Sequence, residues 1–316
     1  MQSIKELYKI GKGPSSSHTM GPERASRLFQ KETPNADHYR VILYGSLSKT
    51  GKGHGTDRVI HEVFSPVSTE IVFSQEPLPA SMHPNTMDFF AFREDKQIAT
   101  LRVESIGGGD IQIVDRPGLT LPEVYPENSF AEIMQFCRLR GIRLHEYVEI
   151  NEGPEIWDFL AEIWSAMKKS IERGLSKTGI LPGGLNVERR AKLLYEQEAP
   201  HESPQVRECR IVCSYAFAVS EENADCGTIV TAPTCGSCGI LPSVLRYAQE
   251  QHGYSEERIL HALAVAGIIG NLIKRNASVS GAECGCQAEV GSACSMAAGA
   301  LCELQNLSLI HIFSSH

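Results

Sequence analysis

Side chains that bind anions or move protons are concentrated in a short segment near the start of the chain. Residues 13–22 read GPSSSHTMGP, with a Gly-Pro break on each side and a predicted helix beginning near Glu23. Hydroxyls and free backbone amides at the start of a helix suit an anion such as a carboxylate. An ordinary serine-rich helix cap has the same composition, so this segment alone leaves both interpretations open. Its hydroxyl- and imidazole-bearing residues are Ser15, Ser16, Ser17, His18 and Thr19.

A second polar segment, residues 46–57, follows a short apolar run and reads SLSKTGKGHGTD. Its glycines interleave with Lys52 and His54, but their spacing does not match a phosphate-binding loop. A histidine flanked by Gly53 and Gly55 on a loop fits a catalytic base that a rigid scaffold holds in place. A surface-loop histidine with no catalytic role is the alternative.

The cysteines form a third group of residues whose side chains can carry out chemistry. Nine of the ten follow residue 208, which favours metal ligation or reactive thiols, although burial as small apolar side chains is the alternative for each. Cys235 and Cys238 make one Cys-x-x-Cys pair, and no second pair follows to complete a zinc site. Cys286 lies in residues 276–291, a small and polar segment that interrupts two predicted helices. Backbone broken inside a buried helix pair indicates a ligand, so we predict a metal ligand at Cys286.

The elements that must position these residues change in character along the chain. Apolar and β-branched runs predict strands near 41–44, 70–74, 87–92 and 98–103. A glycine run at 105–109 predicts a sharp turn between strands. After the capping box that joins Ser129 to Glu132, the helical period predicts helices over 156–171, 186–198, 204–219 and 255–274.

These elements predict an α+β fold. We place an N-terminal α/β domain at 1–126, a linker with a connecting helix at 127–152, and an all-helical domain at 153–306. The helix over 255–274 is apolar nearly all round, so we expect it to be deeply buried.

Charge and hydropathy exclude several classes of protein. The 316 residues include 30 basic and 38 acidic side chains, a net charge of −8 that excludes a generally basic nucleic-acid binder. The longest apolar stretch, 259–273, is interrupted by His261 and two glycines and is too short to span a bilayer. Charges near the N-terminus exclude a secretory signal peptide. We expect a cytoplasmic protein with no nucleic-acid or membrane partner.

Taken in order, these segments resemble the iron–sulfur-dependent L-serine dehydratases, also called L-serine ammonia-lyases. The motifs that carry the resemblance are GPSSSHT at 13–19, YGSLSKTGKGH at 44–54, HPNTM at 83–87, SIGGG at 105–109, NVERRA at 186–191, EENADCGTIVTAPTCGSCGILP at 221–242 and NASVSGAECGCQAEVGSACSMAAGAL at 276–301. The resemblance implies an α/β domain packed against a helical catalytic domain, and a homodimer. It also implies a lyase that converts L-serine to pyruvate and ammonia with a [4Fe–4S] cluster.

The resemblance assigns roles to individual residues. Cys286 is implied as the first cluster ligand, and His54 as the base that removes the α-proton, with His18 as the other candidate. The carboxylate pocket is implied to contain Ser15, Ser16, Ser17, His18 and Thr19. The residues implied to line the rest of the site are Lys52, Gly53, Thr231, Ser280 and Gly281.

The final residues depart from the family. The pattern stops near Gln305 and Asn306, and residues 307–316 match nothing in it, so we expect that tail to be non-native. Members of the family supply two further cluster cysteines in a downstream segment. We therefore expect the other cluster ligands to be absent from this chain, the helical domain to be truncated, and activity to be impaired.

Two other functions fit the same residues. A pyridoxal-phosphate-dependent lyase would need a lysine for the Schiff base beside a phosphate-binding loop. A non-catalytic amino-acid-binding module would use the serine-rich loop to hold a carboxylate and carry out no chemistry.

Overall fold

A computed structural model describes residues 1–114, 122–198, 200–279, 281–308 and 312, with the backbone alone for 281–283. Contacts between residues divide the chain into two compact units. The sheet unit is Lys12–Thr120, and the helical unit combines Met1–Gly11 with Leu121–His316. No helix among the described residues is long and apolar enough to cross a membrane.

The described strands and helices follow one another in an order that confirms the α+β class. The strands are β1 (Ile10–Lys12), β2 (His38–Leu43), β3 (Ser68–Phe73), β4 (Thr86–Arg93), β5 (Lys96–Gly107), β6 (Asp110–Ile113) and β7 (Thr228–Val230). The helices are α1 (Gly21–Glu32), α2 (Gly45–Thr50), α3 (Thr56–Phe64), α4 (Phe130–Arg140), α5 (Leu144–Glu152), α6 (Ile156–Ser176), α7 (Ala191–Glu196), α8 (Pro204–Ala224), α9 (Ile240–His252), α10 (Glu256–Asn276) and α11 (Gly281–Leu304).

The sheet unit is built on a five-stranded sheet in the order β3-β2-β4-β5-β6. β2 and β3 are parallel, and the remaining neighbours are antiparallel. Alternate residues of β2, namely Tyr39, Val41 and Leu43, are buried, as expected for a strand with one face on the core. They pack in one cluster with Phe29 of α1 and Phe64 of α3. α1, which connects β1 to β2, and α3, which lies between β2 and β3, therefore pack against the sheet.

The helical unit is organised around the buried helix α10, as the sequence predicts. Its residues from Ala262 to Leu272 are buried, and the predicted apolar face of α6 packs in the same cluster. A Cβ on Gly270 would lie 2.7 Å from side-chain atoms of Leu7 and Met296, so a larger residue does not fit at this close approach.

The first residues differ from the domain predicted at 1–126 because they pack in the helical unit. Ile4, Leu7 and Tyr8 are buried in its core, and the Tyr8 hydroxyl donates to the carbonyl of Leu263 at 2.9 Å. β1 then pairs with β7 in a two-stranded sheet. The apolar side chains of Met1–Gly11 pack where they are covered, which sequence proximity alone does not reveal.

Two predicted elements differ in extent. Residues 127–152, expected as a linker and connecting helix, form α4 and α5, whose side chains lie in the core of the helical unit. The helix expected over 186–198 is limited to α7, Ala191–Glu196. The carboxylate of Glu221 accepts hydrogen bonds from the amides of Arg190 and Ala191, which fixes the start of this helix.

Candidate active site

The serine-rich segment folds as a tight turn that leads directly into α1. Residues Ser16–Met20 form a π-helical turn, and the Ser15 side chain caps it by accepting a hydrogen bond from the amide of His18 at 3.1 Å. The short polar side chain of Ser15 satisfies an amide that would otherwise lack a partner. The structure therefore shows the helix cap, and binding of an anion by this segment stays a prediction.

His18 is buried and held at both ring nitrogens. Its Nδ1 lies 2.9 Å from the Ser17 hydroxyl, and its Nε2 lies 3.0 Å from the Ser46 hydroxyl. Burial lowers the pKa of His18 to about 4, the nearby His54 lowers it too, and the hydrogen bond with Ser46 opposes them. The imidazole is therefore neutral at pH 7, and neither of its nitrogens is open to a ligand.

His54 lies beside His18, with the ring centroids 4.8 Å apart. The loop predicted here is instead a short 3-10 turn, Lys52–His54, between α2 and α3, because the flanking segments are helical. The carbonyl of Thr50, which can only accept, lies 2.9 Å from Nδ1 of His54, so Nδ1 carries the proton. Nε2 of this half-buried ring then has a lone pair and no partner among the described residues.

Three hydroxyls fix the backbone around the two rings. Thr19 donates to the carbonyl of His54 at 2.8 Å, and Thr56 donates to the carbonyl of His18 at 2.5 Å. Ser105, at the end of β5, donates to the carbonyl of Ser17 at 2.8 Å. The segments at 15–19, 52–56 and 105 are thereby joined in a single hydrogen-bonded arrangement within the sheet unit.

The predicted pocket residues differ in whether their side chains already make hydrogen bonds to other residues. The hydroxyls of Ser15, Ser17 and Thr19 bond within the segment or to its neighbours. The hydroxyl of the buried Ser16 makes no hydrogen bond to any described residue, so it is the one best placed to serve a ligand.

Lys52 and Gly53 border the same turn. Lys52 is exposed, and its Nζ lies 5.3 Å from the centroid of the Phe73 ring. A Cβ placed on Gly53 would meet no atom within 4 Å, so the space beside this residue is open. These segments contribute the Ser16 hydroxyl, the exposed Lys52 ammonium and an imidazole nitrogen of His54 that can accept a proton.

The sequence predicts several of these residues and misses their partners. Ser46, Thr56 and Ser105 were not among the expected site residues, although Ser46 and Ser105 lie in segments with glycine-rich motifs. A Cβ on Gly21 would approach the Ser105 hydroxyl to 2.2 Å, so this glycine is required for α1 to pack beside β5. This approach is visible only in the folded chain, so the sequence carried no signal that residue 105 lies against the serine-rich segment.

The other predicted site residues belong to the helical unit and are described within it. Thr231 is fully buried, and its hydroxyl donates to the carbonyl of Leu7 at 2.7 Å and accepts from the amide of Lys9 at 2.9 Å. Gly281 is the first residue of α11, and Ser280 lies outside the described residues. Binding of a substrate by these three residues stays a prediction.

Cys286 lies near the start of α11, directly after an interruption of the helix. Gly285 has φ 75° and ψ 171°, which places it outside helical geometry, and the thiols of Cys284 and Cys286 on either side are exposed. α10 ends at Asn276, residues 277–279 are not helical, and the non-helical Gly285 breaks α11, so the predicted interruption is present among the described residues. An exposed thiol beside a glycine is accessible to an iron atom.

A [4Fe–4S] cluster requires several thiolates that converge on it. All ten cysteines lie in the described ranges, and no three His, Cys, Asp or Glu side chains there are close enough to hold a metal ion. Cys235 and Cys238 are buried, and burial raises the pKa of Cys238 to about 12, which keeps it a thiol. The described residues therefore supply an accessible cysteine but do not fit a complete cluster site.

Two family models and several known proteins match this chain. The serine dehydratase beta chain model matches residues 3–65, and the serine dehydratase alpha chain model matches residues 74–314. An L-serine dehydratase from Streptomyces coelicolor is 37% identical over 96% of this chain and 78% of the relative. L-serine dehydratase 2 from Escherichia coli is 36% identical over 98% of this chain and 79% of the relative. One from Helicobacter pylori is 32% identical over 96% of this chain and 78% of the relative.

Proposed function

This chain belongs to the serine dehydratase family, and on that premise we propose that it is a lyase that deaminates L-serine to pyruvate and ammonia. The observation that carries the proposal is the pairing of His54, which has an unused Nε2, with the neutral and fully hydrogen-bonded His18. The relatives are L-serine dehydratases by name, which supports L-serine as the substrate.

Recognition of the substrate carboxylate is assigned to the serine-rich turn. The hydroxyl of Ser16 donates one hydrogen bond to a carboxylate oxygen, and the exposed ammonium of Lys52 supplies the opposite charge. A hydrogen bond between a hydroxyl and a charged group contributes about 1.5–3 kcal/mol. A Cβ on Gly53 would meet no atom within 4 Å, so no side chain crowds the backbone between Lys52 and His54.

His54 is the proposed base. Nδ1 is held by the carbonyl of Thr50, so Nε2 is the nitrogen that takes the α-proton of L-serine. Loss of this proton and of the β-hydroxyl, which departs as water, leaves an aminoacrylate. Its imine form hydrolyses to pyruvate and ammonia, so one water is lost and one is gained over the reaction.

His18 is a positioning residue in this account. Both of its nitrogens are engaged, so it does not compete for the α-proton. Because it remains neutral at pH 7, it also places no positive charge beside His54 that would weaken the base.

The [4Fe–4S] cluster implied by the family has no step assigned to it here, since the described residues do not fit it. Cys286 stays the predicted first ligand, and the homodimer stays a prediction. A non-catalytic amino-acid-binding module is the second candidate, favoured by the proximity of His18 and His54 within the sheet unit while no metal-binding group forms among the described residues.

The deciding experiment combines anaerobic iron–sulfur reconstitution with addition of L-serine. Release of pyruvate that depends on both L-serine and bound iron supports the lyase. Binding of L-serine by calorimetry with no pyruvate at any iron loading supports the binding module, and absence of both contradicts the proposed pocket. An absorbing species that forms with pyridoxal phosphate and supports turnover would indicate the other lyase chemistry.

A further inference from the structure

Two cysteines of α8 form a pair that takes no part in the proposed reaction. Cys209 and Cys213 are four residues apart in an unbroken helix, and both are exposed. Residues with this spacing lie one above the other on one helix face. Their sulfur atoms are 4.0 Å apart, so the two thiols already point towards each other.

The surface around this pair is apolar along the same face. Val206 lies before the pair and Phe217 after it, with 57% and 38% of their surfaces exposed. Among the described residues, the hydrogen-bonding contact of these two thiols is with each other, sulfur to sulfur. Soft sulfur donors on an apolar face select soft ions over magnesium or calcium, which prefer oxygen.

We propose that Cys209 and Cys213 form a two-thiolate binding site for a soft univalent metal ion of the Cu(I) class. An ion bonded to both sulfurs at about 2.3 Å would make an angle of about 120° between them at the observed separation. Side-chain rotations that move the sulfurs about 0.6 Å further apart open this angle to the linear arrangement that a two-coordinate Cu(I) ion takes. Each thiol releases one proton when the ion binds, and no electron is transferred.

A disulfide between Cys209 and Cys213 fits the helix geometry less well than a bound ion does. The Cβ atoms of residues four apart on a helix are about 5–6 Å apart, whereas a disulfide needs about 3.5–4.5 Å. Forming it would require α8 to distort. A bridging ion lengthens the connection between the two sulfurs and leaves the helix intact.

The test measures, for each cysteine of the full, reduced chain, how far bound Cu(I) protects its thiol from chemical labelling. Cu(I) is buffered anaerobically with a competing chelator, so that other thiols do not deplete it. Labelling with N-ethylmaleimide is then followed by peptide mass spectrometry at Cys209, Cys213 and, as reference, the exposed Cys294. We expect Cu(I) to slow labelling of Cys209 and Cys213 together by at least tenfold.

Variants separate a paired site from isolated thiols. Cys209→Ser should abolish the protection of Cys213, and Cys213→Ser should abolish that of Cys209, since one thiolate alone binds the ion weakly. Cys294→Ser is the matched control and should leave the protection of both unchanged. Because all three side chains are exposed, none of these changes removes core packing.

Two results would overturn the proposal. The first is equal labelling of Cys209 and Cys213 with and without buffered Cu(I). The second is undiminished protection of Cys213 in Cys209→Ser, which would show that the thiols act separately.

Discussion

In the sheet unit, two imidazole rings and their hydroxyl partners are joined within a few ångströms, with the centroids of His18 and His54 4.8 Å apart. In the helical unit, ten cysteines are spread over buried and exposed positions, and no metal-binding group of three forms among the described residues. The first arrangement is preorganised for binding and proton transfer. The contrast is between polar groups that the fold joins by hydrogen bonds and cysteines that it does not gather into a metal-binding group among the described residues.

The largest expected effect concerns iron. After anaerobic reconstitution we expect far fewer than the roughly four irons per chain of a [4Fe–4S] cluster, because no three cysteines converge. Iron that does bind should be lost in Cys286→Ser and kept in Cys294→Ser, since both thiols are exposed but only Cys286 follows the helix break. Iron analysis checks this. About four iron atoms per wild-type chain would show that the cysteines of the helical unit do assemble a cluster site, which would contradict the contrast between the two units.

Replacing His54 by Gln should lower pyruvate formation, expressed per bound iron, by about a hundredfold or more. The reason is that a positioned general base contributes about 10²–10⁴-fold, and glutamine cannot take the α-proton. His61→Gln is the control, since His61 is exposed on α3 in the same unit. Full activity in His54→Gln with total loss in His18→Gln would make His18 the base.

Stability of the sheet unit should fall as the pH falls, because of His18. Its pKa is about 4 in the folded chain against about 6.5 unfolded, so the unfolded chain binds a proton that the folded chain excludes. The free energy of unfolding is therefore largest above pH 6.5 and declines by about 3 kcal/mol towards pH 4.

Amide hydrogen exchange in β2 and β4 at pH 7, 5.5 and 4 measures this loss. His18→Gln should flatten the decline, since glutamine does not titrate. An unchanged pH dependence in that variant would mean that His18 is not buried as a neutral ring.

A matched pair of glycine substitutions tests the packing that supports the pocket. Gly21→Ala should destabilise the chain by about 1–3 kcal/mol, because the new Cβ would lie 2.2 Å from the Ser105 hydroxyl. Gly53→Ala should be nearly neutral, since its Cβ would meet no atom within 4 Å. Thermal denaturation compares them. Equal melting temperatures would contradict the close approach of α1 to Ser105.

The sequence predicted the part of the site that is contiguous. Ser15–Thr19 and His54 are recognisable because their residue types and glycine neighbours are local features. Ser46 and Thr56 were not predicted as partners of His18, since only the folded chain brings their hydroxyls to its ring and carbonyl. Tertiary distance, and with it the pKa of His18, is not encoded in local spacing.

The fold was likewise predictable only where local sequence patterns determine it. The α+β class, the strands near 41–44 and 87–92, and the apolar face of α6 follow from periodicity. The shortening of the predicted helix over 186–198 depends on Glu221, a residue of another helix that captures two amides. Placement of Met1–Gly11 in the helical unit likewise depends on a distant partner, β7.

The most direct test of the pocket is calorimetric titration of L-serine into the wild-type chain, Ser16→Ala and the exposed control Ser65→Ala. The account predicts one L-serine per chain, a dissociation constant at least tenfold weaker in Ser16→Ala, and no change in Ser65→Ala. Loss of a charge-assisted hydrogen bond of about 1.5–3 kcal/mol sets that factor. Equal affinity in wild type and Ser16→Ala, or no binding of L-serine by the wild-type chain, would contradict the assignment of the sheet-unit turn as the substrate site.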